Sequence, residues 1–250
     1  VLSPFLFSIY TNQLKSTRPN SVVMKYADDT AVVGKISDET SNDDYLTSNK
    51  EATEWCKSRN LIINQSKTKE MIMDFSKNKN DFDEVLIDGV KIERVETFRY
   101  LGLTFDNELK YKFHVDLAIK KAKKSMYAVK KLCSYKVNIK IKTLAYKSLV
   151  NSILTYGMLV FENVIDQETR RKWSALETLA TKMGIVTKNE NLLKIHYTNS
   201  IKQMTKKIMN DPEHPLHYKY QCFGRSKKRL RLCHIRTQRF KNTFIPQSIL

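Results

Sequence analysis

The chain changes its hydrophobic period once, near residue 105, and that change rules out a fold built on one repeating element. Before it, apolar residues come in short β-branched or alternating runs: Val22–Tyr26, Ala31–Val33, Glu70–Phe75, Val85–Ile92 and Phe98–Phe105. Such runs read as strands. Ala27–Thr30 fits a tight turn between the first two, and Asp88-Gly89 fits a type I′ turn inside "VLIDGVKI". Leu46, Asn49, Thr53 and Cys56 recur at helical spacing, so Asp44–Arg59 reads as a helix that Asn60 closes in the left-handed conformation. Beyond residue 105 the spacing becomes three and four. Phe113–Cys133 carries the stripe Leu117, Ala118, Ala122, Met126, Val129 and Leu132, with lysines around it. A second helix would bury Ile141, Leu144, Ala145, Leu149, Ile153 and Tyr156. A third would start at Asp166, bury Trp173, Leu176, Ala180 and Met183, and stop at Gly184. The expected class is α+β, strands with a helix first and helices after.

Charge follows the same division. Residues 1–100 hold 14 Lys/Arg against 16 Asp/Glu, whereas 101–150 hold 12 against 3 and 201–250 hold 12 against 2. The net charge of +18 is therefore segregated into two basic blocks, as expected of surfaces that meet a polyanion. Solubility alone would not need that segregation. The cysteines Cys56, Cys133, Cys222 and Cys233 show no pairing pattern, which suggests a reduced, intracellular protein, nuclear or cytoplasmic. No apolar run approaches the ~20 residues of a membrane span. The opening "VLSPFLF" reads as a turn, and the chain as a fragment of a longer protein.

The stretch "VVMKYADDTAVV" sets Asp28 and Asp29 side by side between two apolar strands. Adjacent carboxylates repel, and a divalent cation removes the conflict. Mg²⁺ takes one or two carboxylates and completes its shell with water and phosphate oxygens, which suits phosphoryl or nucleotidyl transfer. On residue type alone, an ordinary surface turn is the simpler reading. The wider pattern reverses it. "YADD" between apolar strands resembles the active-site motif of reverse transcriptases. "VLSPFLFSIYTNQL" resembles the end of the motif before it, "WCKSRNLIINQSKTKEMIMDF" the one after it, and "FRYLGLTFD" the primer grip that follows. Their order and spacing are similar to those of non-LTR, LINE-type retrotransposons, and "NDPEHPLH" and "RTQRFKNTFIPQSI" resemble the C-terminal end of some such elements.

The resemblance implies an RNA-directed DNA polymerase. It would extend a DNA primer on an RNA template from deoxynucleoside triphosphates, with Mg²⁺ or Mn²⁺ as cofactor. Asp28 and Asp29 would be the catalytic metal ligands and Tyr26 would lie beside the primer terminus. Lys67, with Lys69 as its competitor, would act on the departing pyrophosphate. Phe98, Tyr100, Leu101 and Gly102 would form the primer grip. Lys120, Lys121 and Lys124 would belong to a thumb that holds the duplex backbone. Each has a plainer reading: a strand-end aromatic for Tyr26, a solvated loop side chain for Lys67, strand core for the grip, a solvated helix face for the lysines. The implied organisation is the C-terminal half of a palm over 1–106, a helical thumb over 107–160, and a helical, basic C-terminal region over 161–250.

The family's other metal-ligand Asp, its fingers and its Gln-Gly pair belong to motifs that would precede residue 1, so these 250 residues alone are expected to be inactive. The rival reading is a non-catalytic retrotransposon relic that binds nucleic acid through its basic surface. No protein partner is indicated. His214, His217, Cys222, Cys233 and His234 include zinc-ligand types, but no close cysteine pair supports a zinc site.

Overall fold

A computed structural model describes residues 2–36, 42–76, 82–187, 192–220, 222–223 and 229–230. The chain divides into two compact units, residues 1–98 and 99–250.

The first unit opens with helix α1, Ser3–Tyr10, where a turn was expected; Pro4 lies in its first turn, the one place in a helix where a missing N–H is harmless. Strands β1 (Ser21–Tyr26) and β2 (Asp29–Gly34) pair antiparallel, with Val22 opposite Val33 and Tyr26 opposite Asp29. Helix α2, Asp43–Ser58, packs on them, and its first-turn Asp43 and Asp44 suit the positive end of the helix. Asn20 Nδ2 donates to Asp44 Oδ2 at 3.1 Å, and Ser21 Oγ to the Asp44 carbonyl at 3.4 Å. Gly34 lets the two elements approach, since a Cβ there would lie 2.7 Å from the Tyr45 ring. Asn60 adopts φ 55°, the expected left-handed closure.

Strand β3 is only Lys69–Glu70, paired parallel with β6, Glu93–Arg94. The longer strand expected over Glu70–Phe75 does not form. Its one ladder ends after two pairs, and Met73 and Phe75 are exposed. Between β3 and β6 lies the expected hairpin of β4 (Leu86–Ile87) and β5 (Val90–Lys91). Asp88 and Gly89 both take positive φ, as a type I′ turn requires. Val85, Ile87 and Ile92 form a small core with Tyr45, Leu46 and Ile63. Beside it Arg94 Nε meets the buried Glu70 carboxylate at 2.6 Å. Burial, with the Glu70 charge second, pushes the Tyr45 hydroxyl up to about 12.

The chain crosses into the second unit within β7, Thr97–Tyr100. "FRYLGLTF" was expected as one strand; it is a hairpin of β7 with β8, Leu103–Asp106. The break is the Leu101-Gly102 pair, at φ 47° and 82°. Helix α3, Lys112–Cys133, buries Val115, Ala118, Ile119, Ala122, Met126 and Val129, close to the expected stripe. The next helical stretch departs from expectation. It comprises α4 (Ile139–Tyr146), a π-helical turn (Lys147–Asn151) and α5 (Ser152–Thr155). Tyr146, Val150 and Leu154 are its buried residues, while Ile141, Leu144, Leu149 and Tyr156 are exposed. The buried residues recur every four, one position off the expected stripe both before and after the π-helical turn. Short α6 (Met158–Phe161) leads to α7 (Gln167–Lys182), which Asp166 caps by accepting from Thr169 N at 2.6 Å. It buries Trp173, Leu176 and Ala180 as expected, and Gly184 follows at φ 70°. Helix α8, Leu192–Asn210, was not anticipated. The core of this unit runs from Tyr111 to Leu193 and includes Phe161 and Trp173.

Candidate functional site

Asp28 and Asp29 lie at the end of the β1–β2 hairpin, and both are exposed. The loop is tighter than expected: only Ala27 and Asp28 leave the ladder, Ala27 at φ 52°, while Asp29 already pairs with Tyr26. In an antiparallel pair, opposed residues share a face. Asp29 therefore shares one with Tyr26, Met24, Ala31, Val22 and Val33. Tyr26 is 66% exposed, and Val22, Met24 and Val33 are exposed with it. The other face turns toward the unit: Ser21 is buried, and Lys25 Nζ donates to the Thr11 carbonyl. Burial, aided by the Lys15 charge, lowers the Lys25 pKa. The hairpin is thus anchored by one face and offers the other with Asp29, while Asp28 stands exposed in the turn beside it.

That donor set fits Mg²⁺, which accepts one or two carboxylates and leaves the rest of its shell to water or phosphate. Among the described residues no group of three or more His, Cys, Asp or Glu could hold a metal. His214 Nδ1 accepts from Leu216 N at 3.0 Å, and His217 Nδ1 bonds the Ile208 carbonyl at 2.9 Å. The side chains of Cys222, Cys233 and His234 lie outside the described residues.

Lys67 is exposed in a turn that Asn64 organises, its backbone N donating to Asn64 Oδ1 at 3.1 Å. Its ammonium makes no ion pair with the described residues, whereas Lys69 is held by Glu93 at 2.6 Å. Nothing in the ion pairing brings Lys67 to the two aspartates. Phe98 is half-buried at the end of the first unit.

In the second unit the structure joins Gly102 and Lys121 with residues that sequence reasoning did not select. Tyr156 Oη donates to the Leu101 carbonyl at 2.5 Å and fixes the β7–β8 turn. Its ring lies so close that a Cβ on Gly102 would meet Cε1 at 3.1 Å. Gly157 completes the clamp, because a Cβ there would overlap Leu103 at 2.3 Å. Further down the hairpin, Thr104 N donates to His114 Nδ1 at 3.3 Å. A backbone N–H can only donate, so Nδ1 is unprotonated and Nε2 carries the proton. That Nε2–H is buried, with the Tyr156 backbone carbonyl as its neighbour. Burial lowers the His114 pKa; the Tyr156 backbone opposes this, and the Lys121 and Arg99 charges add to it. At the foot of the hairpin Asp106 accepts from Glu108 N at 3.2 Å, Lys110 N at 2.9 Å and Tyr111 N at 2.6 Å.

Arg99, Gly102, His114, Lys121, Tyr156 and neighbouring side chains line an open pocket of about 360 Å³. Lys120 and Lys124 do not line it. At 100° per residue they lie opposite the buried stripe of α3, in line with Tyr127 and Lys131, and all four are exposed. Tyr100 is half-buried and Leu101 is 37% exposed.

Tyr156 could have been found from "TYG": an aromatic before a glycine just past a helix end suits a clamp better than a core stripe. For α8 the signal was Leu193, Tyr197, Ile201, Met204 and Ile208 at helical spacing.

Residues 1–105 match a family model described as reverse transcriptase (RNA-dependent DNA polymerase). The RNA-directed DNA polymerase from mobile element jockey of Drosophila melanogaster is 25% identical over 174 residues, covering 64% of this chain and 18% of that protein. The chain thus spans under a fifth of that relative's length. No solved structure matches. No described helix is long and apolar enough to cross a membrane.

Proposed function

We propose that this chain is the part of a non-LTR retrotransposon reverse transcriptase that runs from the catalytic turn through the primer grip and thumb. The observation that carries the reading is the pair Asp28 and Asp29, exposed together at a hairpin tip inside the segment matched by the reverse transcriptase model. In this reading the two carboxylates hold Mg²⁺. The bound metal supplies the positive charge that nucleotidyl transfer to a DNA 3′ end needs. Tyr26, on the same face as Asp29, stacks beside the primer terminus. Leu101 and Gly102 bring backbone close to the primer, and the α3 lysines neutralise phosphates of the RNA–DNA duplex. Lys67 remains the candidate partner of the pyrophosphate.

The chain by itself does not extend a primer in this reading, because a further carboxylate is needed beside the two. Joined to a segment that supplies it, the chain extends, and Asp28→Asn abolishes extension. A readout independent of catalysis tests the metal site: Mn²⁺ titration followed by electron paramagnetic resonance. The expected result is binding that the Asp28→Asn, Asp29→Asn double variant weakens about tenfold. Equal Mn²⁺ affinity in the variant would refute the assignment.

A further inference from the structure

Different elements hold the two ends of the β1–β2 hairpin. At its open end Asn20 Nδ2 and Ser21 Oγ both donate to Asp44, and the Tyr45 ring packs against Gly34, so the first turn of α2 holds the strands directly. Near the tip the support is Lys25. With Thr30 it forms the ladder pair next to Tyr26–Asp29, about 3.4 Å further along the strands. Its side chain leaves the inner face, opposite that of Asp29, and the ammonium donates to the Thr11 carbonyl at the end of α1. A helix C-terminus presents carbonyls without helical partners and carries partial negative charge, so an ammonium suits it. That end of α1 is firmly set. Thr11 and Leu14 are buried, and Leu14 N donates to the same Thr11 carbonyl at 3.1 Å. Tyr10 Oη donates to the Arg59 carbonyl at 2.7 Å, and Arg59 Nη2 to Gln13 Oε1 at 2.7 Å. Arg59 is the C-terminal cap of α2. One helix thus fixes the open end of the hairpin through its first turn, and the tip through its last, with α1 and Lys25 between.

We propose that Lys25 is the positioning residue of the acidic turn: by holding the tip on α1 it raises the affinity of Asp28 and Asp29 for a divalent cation without touching that cation. The inference rests on the metal-binding reading of the two aspartates. Its sign separates it from plain electrostatics. A lysine near the site that contributed only its charge would repel the metal, and removing it would tighten binding. Removing a positioning contact weakens binding, because the turn must then be ordered when the metal arrives.

The test is Mn²⁺ titration of the full 250-residue chain by electron paramagnetic resonance, with amide hydrogen exchange alongside. Lys25→Met keeps the length of the side chain and removes the donor. It should weaken Mn²⁺ binding about tenfold, the usual effect of losing a group that supports metal ligands. It should also speed amide exchange at residues 26–30, with the open end of the hairpin unchanged. Lys25→Arg restores a charged donor and should recover both. Asn20→Ala loosens the open end instead and should alter Mn²⁺ affinity less than about twofold. Tyr10→Phe leaves Lys25 in place and slackens α1 against α2. It should weaken Mn²⁺ binding by up to about fivefold, the worth of one hydrogen bond, and it tests the frame even if Lys25→Met does not fold. Equal or tighter Mn²⁺ binding by Lys25→Met, unchanged exchange at its tip, or a Lys25→Arg variant as weak as Lys25→Met would overturn the proposal. Wild-type Mn²⁺ binding that is absent, or that persists in Asp28→Asn, Asp29→Asn, refutes the acidic turn and this inference with it. The double variant therefore tells that failure apart from a failure of Lys25 alone.

Discussion

Replacing Gly102 by Ala tests whether the β7–β8 turn is clamped by Tyr156 or merely rests near it. The left-handed φ of 82° is strained for any residue with a Cβ, by roughly 1 kcal/mol. The added Cβ would then press on Tyr156 Cε1 at 3.1 Å and Oη at 3.2 Å. The ring can yield only by lengthening its bond to the Leu101 carbonyl, a further ~1 kcal/mol. Gly102→Ala should therefore destabilise the second unit by about 2–3 kcal/mol, summing strain and contact. Tyr156→Phe alone should cost about 1 kcal/mol, the value of one hydrogen bond. Together they should cost less than their sum, because a phenylalanine ring is free to move. The expected coupling is about 1 kcal/mol. The two tryptophans make the assay clean. Trp55 belongs to the first unit, while Trp173 is buried in the core of the second. In a Trp55→Phe background, urea unfolding followed by Trp173 fluorescence reports the second unit alone. Additivity of the two changes to within about 0.5 kcal/mol would refute the clamp.

The remaining expectations need simpler measurements. Lys120→Ala with Lys124→Ala should weaken RNA–DNA duplex binding in fluorescence anisotropy and lower the salt slope by about two, nearly independent of sequence; an unchanged slope would remove the outer face of α3 from the contact surface. Asp106→Ala should destabilise the second unit by roughly 2–4 kcal/mol in the same urea assay, since three backbone N–H groups lose a charged acceptor; a loss under about 0.5 kcal/mol would show that water replaces it. His114 is held below its ordinary value of 6.5, so the unfolded chain binds the extra proton more readily. Its contribution is complete above pH 6.5 and is lost as pH falls from there through the folded value. Comparing the acid limb of stability with that of His114→Asn checks this, and identical limbs would contradict it.

What was legible in the sequence depended on whether a signal was local. The β1–β2 hairpin was readable because strand period, turn and charge all fall within Ser21–Gly34. Asp166 was readable because an N-cap satisfies amides only two or three residues on. The second-unit hairpin was misread because Leu101, a poor left-handed residue, hides its turn; only Gly102 announces it. The stripe over 141–156 put Leu144 and Leu149 in the core when both are exposed, because apolar residues stand on both faces of that stretch and spacing alone does not say which one is buried. Spacing put Tyr156 in a core stripe and passed over His114, and it could assign neither its contact to the hairpin. Their partners Leu101 and Thr104 stand on a different element, and only the folded chain brings them together.

These long-range partners explain how a two-stranded hairpin can be placed accurately. Strands β7 and β8 pair only with each other among the described residues, and an isolated hairpin is marginal in water. Three contacts supply what a wider sheet would otherwise give. Tyr156 holds the tip through the Leu101 carbonyl, His114 holds the middle through Thr104 N, and Asp106 fixes the foot through the amides leading into α3. His114 belongs to α3 and Tyr156 directly follows α5, so the turn is referenced to the helical core. Arg99 and Lys121 are set by the same frame, one on the hairpin and one on α3. Loss of the tip contact in Tyr156→Phe should therefore loosen the β7–β8 turn against the helical core while the His114 and Asp106 contacts persist, which backbone amide exchange at the turn would read.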